Sequence, residues 1–333
     1  MKNLRVGTFN LFQFVAPPYS WYESKNTFSP KQWKEKTTWI QKQIQKMDCD
    51  IIGFQEVFSY EEIKILTKKL GFNYFETVDT AKLDISNPSK FITTTVALAS
   101  KYPIIELQKV LPHQKSIKKH NLQGTFEFSR LPIKALIALP NNTQITIYVN
   151  HFKSNRLNEL EYSFTNKHTL KEKIEKTKDA LDSNLSKALK QRLCETSSIF
   201  FDCIKTNTPI ILLCDLNDKE FSLSIESLTN RSYHENKDTN DYLLDDVFNL
   251  SDTTIHNPHP EQKKIKRTPT SYFQGRGDVL DYIFVSKDFD ENEKNNIGKI
   301  ISYEILNTHF HNNPHGSLVQ SDHAQVVSEI KIY

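Results

Sequence analysis

No two cysteines stand at C-x-x-C spacing in this 333-residue chain, and only four occur: Cys49, Cys194, Cys203 and Cys214. That scatter argues against a disulfide framework or a zinc site and for reduced structural thiols. No apolar run approaches the length of a membrane-crossing helix. The opening MKNLRVGTFNLF holds no apolar signal core with a cleavage site, so a cytoplasmic protein without stable membrane association is expected. Charge is nearly balanced, 43 Lys and Arg against 40 Asp and Glu; a net +3 does not by itself announce a nucleic-acid partner. Glycine is scarce, with eight residues, and carries no functional reading. Neither a fixed-period repeat nor a low-complexity linker interrupts the chain, which is long enough to bury a large core.

What is present is a series of short apolar runs that end in polar side chains. The clearest is PIILLCDLND, Pro209–Asp218. Ile210, Leu212 and Cys214 alternate with Ile211 and Leu213, the pattern of a strand covered on both faces. Asp215 and Asn217 follow and, by alternation, are expected side by side on one face. An Asx turn alone would explain them, but the same pattern recurs elsewhere. Leu4–Leu11 reads as a strand that delivers Asn10. Asp50–Val57 ends in Glu56. Gln144–Phe152 delivers Asn150, His151, Lys153 and Ser154, and the final SDHAQVVSEIKIY opens on Asp322 and His323. Val279–Ser286 is expected to carry Asp281 in its middle.

Between these runs lie the helices and loops. Ser29-Pro30 is a helix start, followed by Trp33, Thr37, Ile40, Ile44 and Met47 in one stripe. Ser59 and Glu62 are read as a capping box. Phe12–Phe28 is expected as a rim loop, Lys115–His120 and Lys263–Arg267 as basic loops, and residues 158–207 as mostly helical. Glu220–Asp252 reads as one or two short helices. Further strands are expected at Thr94–Ser100 and Leu131–Leu139. Strands in hairpin-like pairs as well as after helices imply two packed sheets with helices outside, one large domain over residues 1–333.

Five strand ends far apart in sequence, with Asp281 as a sixth position, each present a carboxylate, amide or imidazole. Their convergence on one edge would be a site rather than six accidents of burial. In order, TFN, FQE, VNHFKS, CDLND, LDYIFVS and SDH resemble the motifs of the endonuclease/exonuclease/phosphatase family, and they cover the whole chain. The family usually has Gly where Cys214 stands, a small-for-small exchange. Its apurinic endonucleases have Tyr in place of His151, which argues against abasic-site repair.

The resemblance implies a DNase I-like fold, a four-layered αββα sandwich of two packed mixed sheets, and hydrolysis of phosphoesters with Mg²⁺ or Mn²⁺. It makes Glu56 the principal metal ligand, with Asn10 and Asp322 completing a shell of hard oxygens. Asp215 would orient or deprotonate the attacking water, Asn217 would hold a phosphate oxygen, and His323 backed by Asp281 would bind phosphate or serve as acid or base. His151 would be a second imidazole on the phosphate, and Arg130 and Lys153 further phosphate contacts. The expected substrate is DNA or RNA, gripped also by Lys115, Lys118, Lys119, Lys263, Lys264, Lys266 and Arg267 of the basic loops, with the protein a monomer. A phosphomonoesterase or small-molecule phosphodiesterase would use the same centre; a binding module without activity would not need so complete a set. His309, His311 and His315 are read as a mobile rim loop rather than a zinc site.

Overall fold

The computed structural model describes residues 3–154, 162–183, 186–235, 241–251, 267–273, 276–311 and 316–333. Twelve strands form two six-stranded sheets. One runs Gly298–Leu306, Gln325–Ile332, Leu4–Phe14, Ile51–Val57, Thr95–Ser100 and Tyr74–Glu76 in spatial order. The other runs Leu244–Asp246, Asp281–Ser286, Ile210–Asp215, Gln144–His151, Ile133–Ala138 and Ile104–Lys109. Both are mixed. Each holds one parallel pair, Leu4–Phe14 with Ile51–Val57 and Gln144–His151 with Ile210–Asp215. A parallel pair needs a long crossover, and helices supply it: Pro30–Met47 in the first sheet, Leu170–Asp182 and Lys187–Cys203 in the second.

The alternation of side chains sorts the core into layers. Leu4, Val6, Ile51, Val149, Leu213, Ile283 and Val326 meet between the sheets. Phe9, Phe54 and Ala97 face outward under Ile40, Ile44 and Ile63 of two helices. On the other side Tyr148, Leu212 and Cys214 lie under Ile199, Cys203 and Leu228. The result is the four-layered αββα sandwich expected from the sequence. All four cysteines are buried and unpaired, and burial pushes the Cys49, Cys203 and Cys214 thiols up.

Several local expectations need correction. Ser29 caps its helix as expected and, with Gln32, also forms a capping box. The box expected at Ser59 is absent: the Ser59 hydroxyl accepts instead from the Ala16 amide at 2.7 Å, a buried donor on a neighbouring segment. Residues Gln114–Lys119 are a helix packed on Lys187–Cys203, not a loop, with Ile117 buried. Among the described residues, the helical stretch expected over 158–207 is two helices, from Leu170 and from Lys187, and the expected short helices of Glu220–Asp252 are three. The presumed rim loop is partly sheet: the first strand runs on to Phe14, and Ser20–Trp21 and Glu23–Thr27 join Leu83–Asp84 and Asn87–Phe91 in a small four-stranded sheet. Ile85, at the tip of that sheet's last hairpin, is fully exposed. Lys263, Lys264 and Lys266 lie outside the described residues. Arg267 is buried against Asp246 and bonds the Tyr303 hydroxyl at 2.9 Å, so it is not available to a phosphate.

One glycine sets the spacing of the sheets. A Cβ on Gly53 would meet Leu213 Cβ at 2.9 Å and Val149 Cγ1 at 3.0 Å, both across the inner core. These contacts come from backbone-proximal atoms with little freedom to move. Gly53→Ala is therefore expected to destabilise the fold by about 1–3 kcal/mol through overpacking, read as a lower midpoint of urea unfolding; an unchanged midpoint would show that the sheets can separate at no cost.

Candidate active site

The polar ends of the strands meet at one end of the inter-sheet seam. In the second sheet, His151, Asp215 and Asp281 are direct neighbours across three adjacent strands, so their side chains stand in a row on the inner face. Asp281 is the first residue of its strand, not a central one. Asn10 reaches across from the first sheet, and its Nδ2 donates to Asp215 Oδ2 at 2.9 Å. His151 Nε2 is 3.4 Å from the same oxygen. His323 enters from the loop before the last strand, with Nδ1 2.8 Å from Asp281 Oδ2. These five side chains are all buried.

Backbone irregularities aim the rest. The pairing of Leu4–Phe14 with Ile51–Val57 slips between Asn10 and Phe14, where Phe12 and Gln13 have φ of 51° and 60°. Glu56 sits at φ 57°, where the next pairing also slips. Phe54 and Val57 both face the outer core, so the bulge frees two residues between them where regular alternation would free one. Left-handed backbone at non-glycine residues is costly and marks sites where geometry is imposed. The Glu56 carboxylate, half-buried, accepts from the Gln13 amide through Oε2 at 2.9 Å, which leaves Oε1. Asn217, at φ 53°, does not continue the strand beside Asp215. Its amide N–H donates to Asp215 Oδ1 at 2.9 Å, and its Nδ2 to the Phe152 carbonyl at 3.1 Å.

Burial and charge divide the titratable groups. Burial would lower the His323 imidazole, but the carboxylates of Asp281, Asp215 and Asp322 override it and hold it well above its ordinary value. His151 goes the other way: burial, then Arg130 and His323, keep it well below its ordinary value and neutral. Asp215 is pushed up to about 7, chiefly by burial and against the pull of His323. The site thus holds a charged imidazole, a neutral one and a carboxyl that titrates near 7 close together.

Asp215, Asp281 and His323 bring ligand-type atoms within 4.8 Å of one another. A protonated imidazole cannot coordinate a cation, so this group is suited to holding protons. The hard oxygens fit a divalent cation better: Glu56 Oε1, the Asn10 amide oxygen with one lone pair beyond its bond from the Phe12 amide at 3.0 Å, and the half-buried Asp322. The Cys214 thiol turns to the outer core and offers no soft ligand. Near these carboxylates the fully buried Lys36 donates to the Leu318 and Gln320 carbonyls at 3.1 and 2.8 Å. Burial lowers its ammonium to about 7, while Glu56 and Asp322 oppose the shift.

Support residues went unread in the sequence. Buried Thr270 accepts the Leu280 and Asp281 amides on its hydroxyl at 2.9 and 3.1 Å, and its carbonyl accepts the Ala324 amide at 2.7 Å. Ser321 donates to the Asn10 carbonyl at 2.8 Å and accepts the His323 amide at 3.0 Å, tying the two ends of the chain together. Arg130 and Lys153 are half-buried; Arg130 donates to the Phe152 carbonyl at 3.3 Å and acts on the nearby His151. Of the three histidines read as a rim loop, His309 is buried in a short turn, edge-on to Trp39 at 5.2 Å. His311 is exposed, and His315 lies outside the described residues.

The sequence profile of the Endonuclease/Exonuclease/phosphatase family matches residues 7–293. The chain belongs to that family. Members of the endonuclease/exonuclease/phosphatase family are phosphoester hydrolases that generally use divalent metals. No curated protein matches the chain by sequence. Solved structures share the fold at low identity. The human Nocturnin catalytic domain with bound sulfate aligns with 100% of this chain and 94% of its own, at 14% identity and TM-score 0.59. A family protein from Beutenbergia cavernae aligns at 12% identity and TM-score 0.58, over 100% of this chain and 72% of its own. ANGEL2, described as a 2',3'-cyclic phosphatase, aligns at 13% identity and TM-score 0.56, over 99% and 95%.

After burial, which acts in the opposite sense, Asp281 is the foremost influence on the His323 ring. Asp281→Asn keeps the shape and removes the charge, so the His323 pKa is expected to fall in metal-free protein. Imidazole NMR shifts across a pH titration in EDTA check this; an unmoved titration would assign the stabilisation to Asp215 and Asp322 instead.

Proposed function

We propose that the protein is a divalent-metal-dependent phosphodiesterase that cleaves DNA or RNA by in-line attack of water. The observation that carries the reading is the row His151, Asp215 and Asp281 with His323 charged and Asp215 poised near neutrality, set beside the half-exposed carboxylates of Glu56 and Asp322. Asp215, held by Asn10 and Asn217, takes a proton from the attacking water; its raised pKa suits it to accept that proton near pH 7. The His323 imidazolium, fixed by Asp281, neutralises charge on the phosphoryl oxygens and can deliver a proton to the leaving oxygen. Neutral His151 donates a hydrogen bond to phosphate without adding charge. Arg130, Lys153 and Asn217 grip the remaining oxygens. Glu56, Asn10 and Asp322 would hold Mg²⁺ or Mn²⁺, which when bound polarises the phosphoryl group and stabilises its developing charge.

Nucleic acid as substrate accords with the Lys115, Lys118 and Lys119 cluster, now seen along one short helix. The loss of Arg267 to a buried pair with Asp246 reduces the basic surface and keeps small phosphodiesters as the second reading. No helix among the described residues is long and apolar enough to cross a membrane. The protein is proposed to act in the cytoplasm as a monomer, built as one domain.

A panel of plasmid, single-stranded DNA, RNA, bis-p-nitrophenyl phosphate and simple monoesters, each with Mg²⁺ and Mn²⁺, tests the reading. Nucleic acid and the model diester are expected to be cleaved and the monoesters spared, with EDTA abolishing turnover. Nucleic-acid affinity should fall steeply as salt rises. Preferential cleavage of monoesters would overturn the diesterase assignment. Glu56→Gln should lower Mn²⁺ affinity by roughly tenfold or more, on the scale of altered ligand environments, with folding intact by thermal melt; full activity at micromolar metal would remove Glu56 from the cation site.

A further inference from the structure

Behind the second sheet, two oppositely charged side chains one turn apart on the helix Lys187–Cys203 reach the backs of three site loops. Glu195 is buried and spends both carboxylate oxygens on backbone: Oε1 accepts the Ser129 amide and Oε2 the Lys153 amide, each at 2.7 Å. Gln191 adds a third bond to Oε1 at 3.0 Å. Arg192 is wholly buried and donates from Nη1 to the Lys153 carbonyl at 2.9 Å. Its other edge meets the Asp218 carboxylate at 3.0 Å, which the Ser224 hydroxyl also bonds at 2.6 Å. Lys153 is therefore gripped at its N–H by an anion and at its C=O by a cation. Ser129 precedes Arg130, and Asp218 follows Asn217. A single helix thus bonds the backbone of Lys153 directly, the amide next to Arg130 and the side chain next to Asn217, in segments far apart along the chain.

Two buried charges are costly to place in a helix–sheet interface unless both are satisfied. A carboxylate that accepts two short backbone bonds is strongly oriented, because charge-assisted bonds are the stronger kind. Apolar residues would pack this interface as well, so stability alone gives no reason for the pair. Setting loop geometry does.

We propose that Glu195 and Arg192 are positioning residues that set the phosphate-binding rim by clamping the Lys153 peptide and the Ser129–Arg130 segment. The proposal rests on the phosphodiesterase reading, and its target is substrate grip rather than the cation site, which belongs to the other sheet and the His323 loop. In Glu195→Gln one acceptor oxygen becomes an NH₂ facing a backbone N–H, so one of the two loops is released.

With bis-p-nitrophenyl phosphate and Mn²⁺, Glu195→Gln is expected to raise KM about tenfold, the scale of one lost charge-assisted hydrogen bond. Turnover should stay within about twofold, because the interaction lost is one of uniform binding, and Mn²⁺ affinity by calorimetry should not move. In an Arg130→Ala/Lys153→Ala background the same substitution should add nothing to KM, since the groups it positions are gone. An unchanged KM, or a full additive increase in that background, overturns the proposal. Amide exchange provides a test that needs no variant: in the wild type the Ser129 and Lys153 amides should be strongly protected, and exchange at the rate of open loops overturns the clamp even if Glu195→Gln does not fold. A wild type that cleaves no diester with any metal, yet protects these amides, would instead count against the phosphodiesterase reading.

Discussion

The bond between Asn10 and Asp215 is the constraint on which the site depends. It is a direct link between the inner faces of the two sheets, and it exists only if the sheets approach closely at that end. Gly53 permits the approach by leaving no side chain between the Ile51–Val57 strand and Leu213 and Val149. Just below the bond, the Thr8 hydroxyl and Gln55 side chain form a second polar contact at 3.0 Å. Below that the seam is aliphatic. The seam therefore grades from an aliphatic core to a hydrogen-bonded floor and then to titratable groups.

That grading explains why neighbouring groups of the same type behave differently. His151 and His323 are both buried, yet one has only a 3.4 Å approach to Asp215 and a nearby guanidinium, while the other is backed by Asp281 at bonding distance. Low local polarity magnifies each of these neighbours, so the choice of partner decides the charge state.

Much of this was legible in the sequence where a pattern repeats along the chain. Strands with alternating or continuous apolar residues and polar ends, such as PIILLCDLND and QITIYVNHF, could be placed to within a residue or two. Edge and outer strands could not: Ile104–Lys109 is largely exposed and has no apolar period to read. The helix Gln114–Lys119 was hidden by its lysines, which overhang a buried Ile117. The meeting of Asn10, His151, Asp215, Asp281 and His323 followed from their common place at strand ends. Thr270, Ser321, Arg192 and Glu195 left no such trace, because each acts by bonding the backbone of a remote segment. Such bonds depend on tertiary approach and impose no period on the sequence. The bulge at Glu56 was equally invisible, since no glycine marks it.

Ser321 joins Asn10 across a sequence separation of 311 residues, and the strand Gln325–Ile332 fills the gap between Leu4–Phe14 and Gly298–Leu306. During synthesis, the first strand must wait with one edge unpaired until the strand Gln325–Ile332 has been made. Until then Asp322 and His323 have no place to dock and the constellation is incomplete. The connectivity thus makes this cluster of strand ends one of the last features of the fold to be assembled.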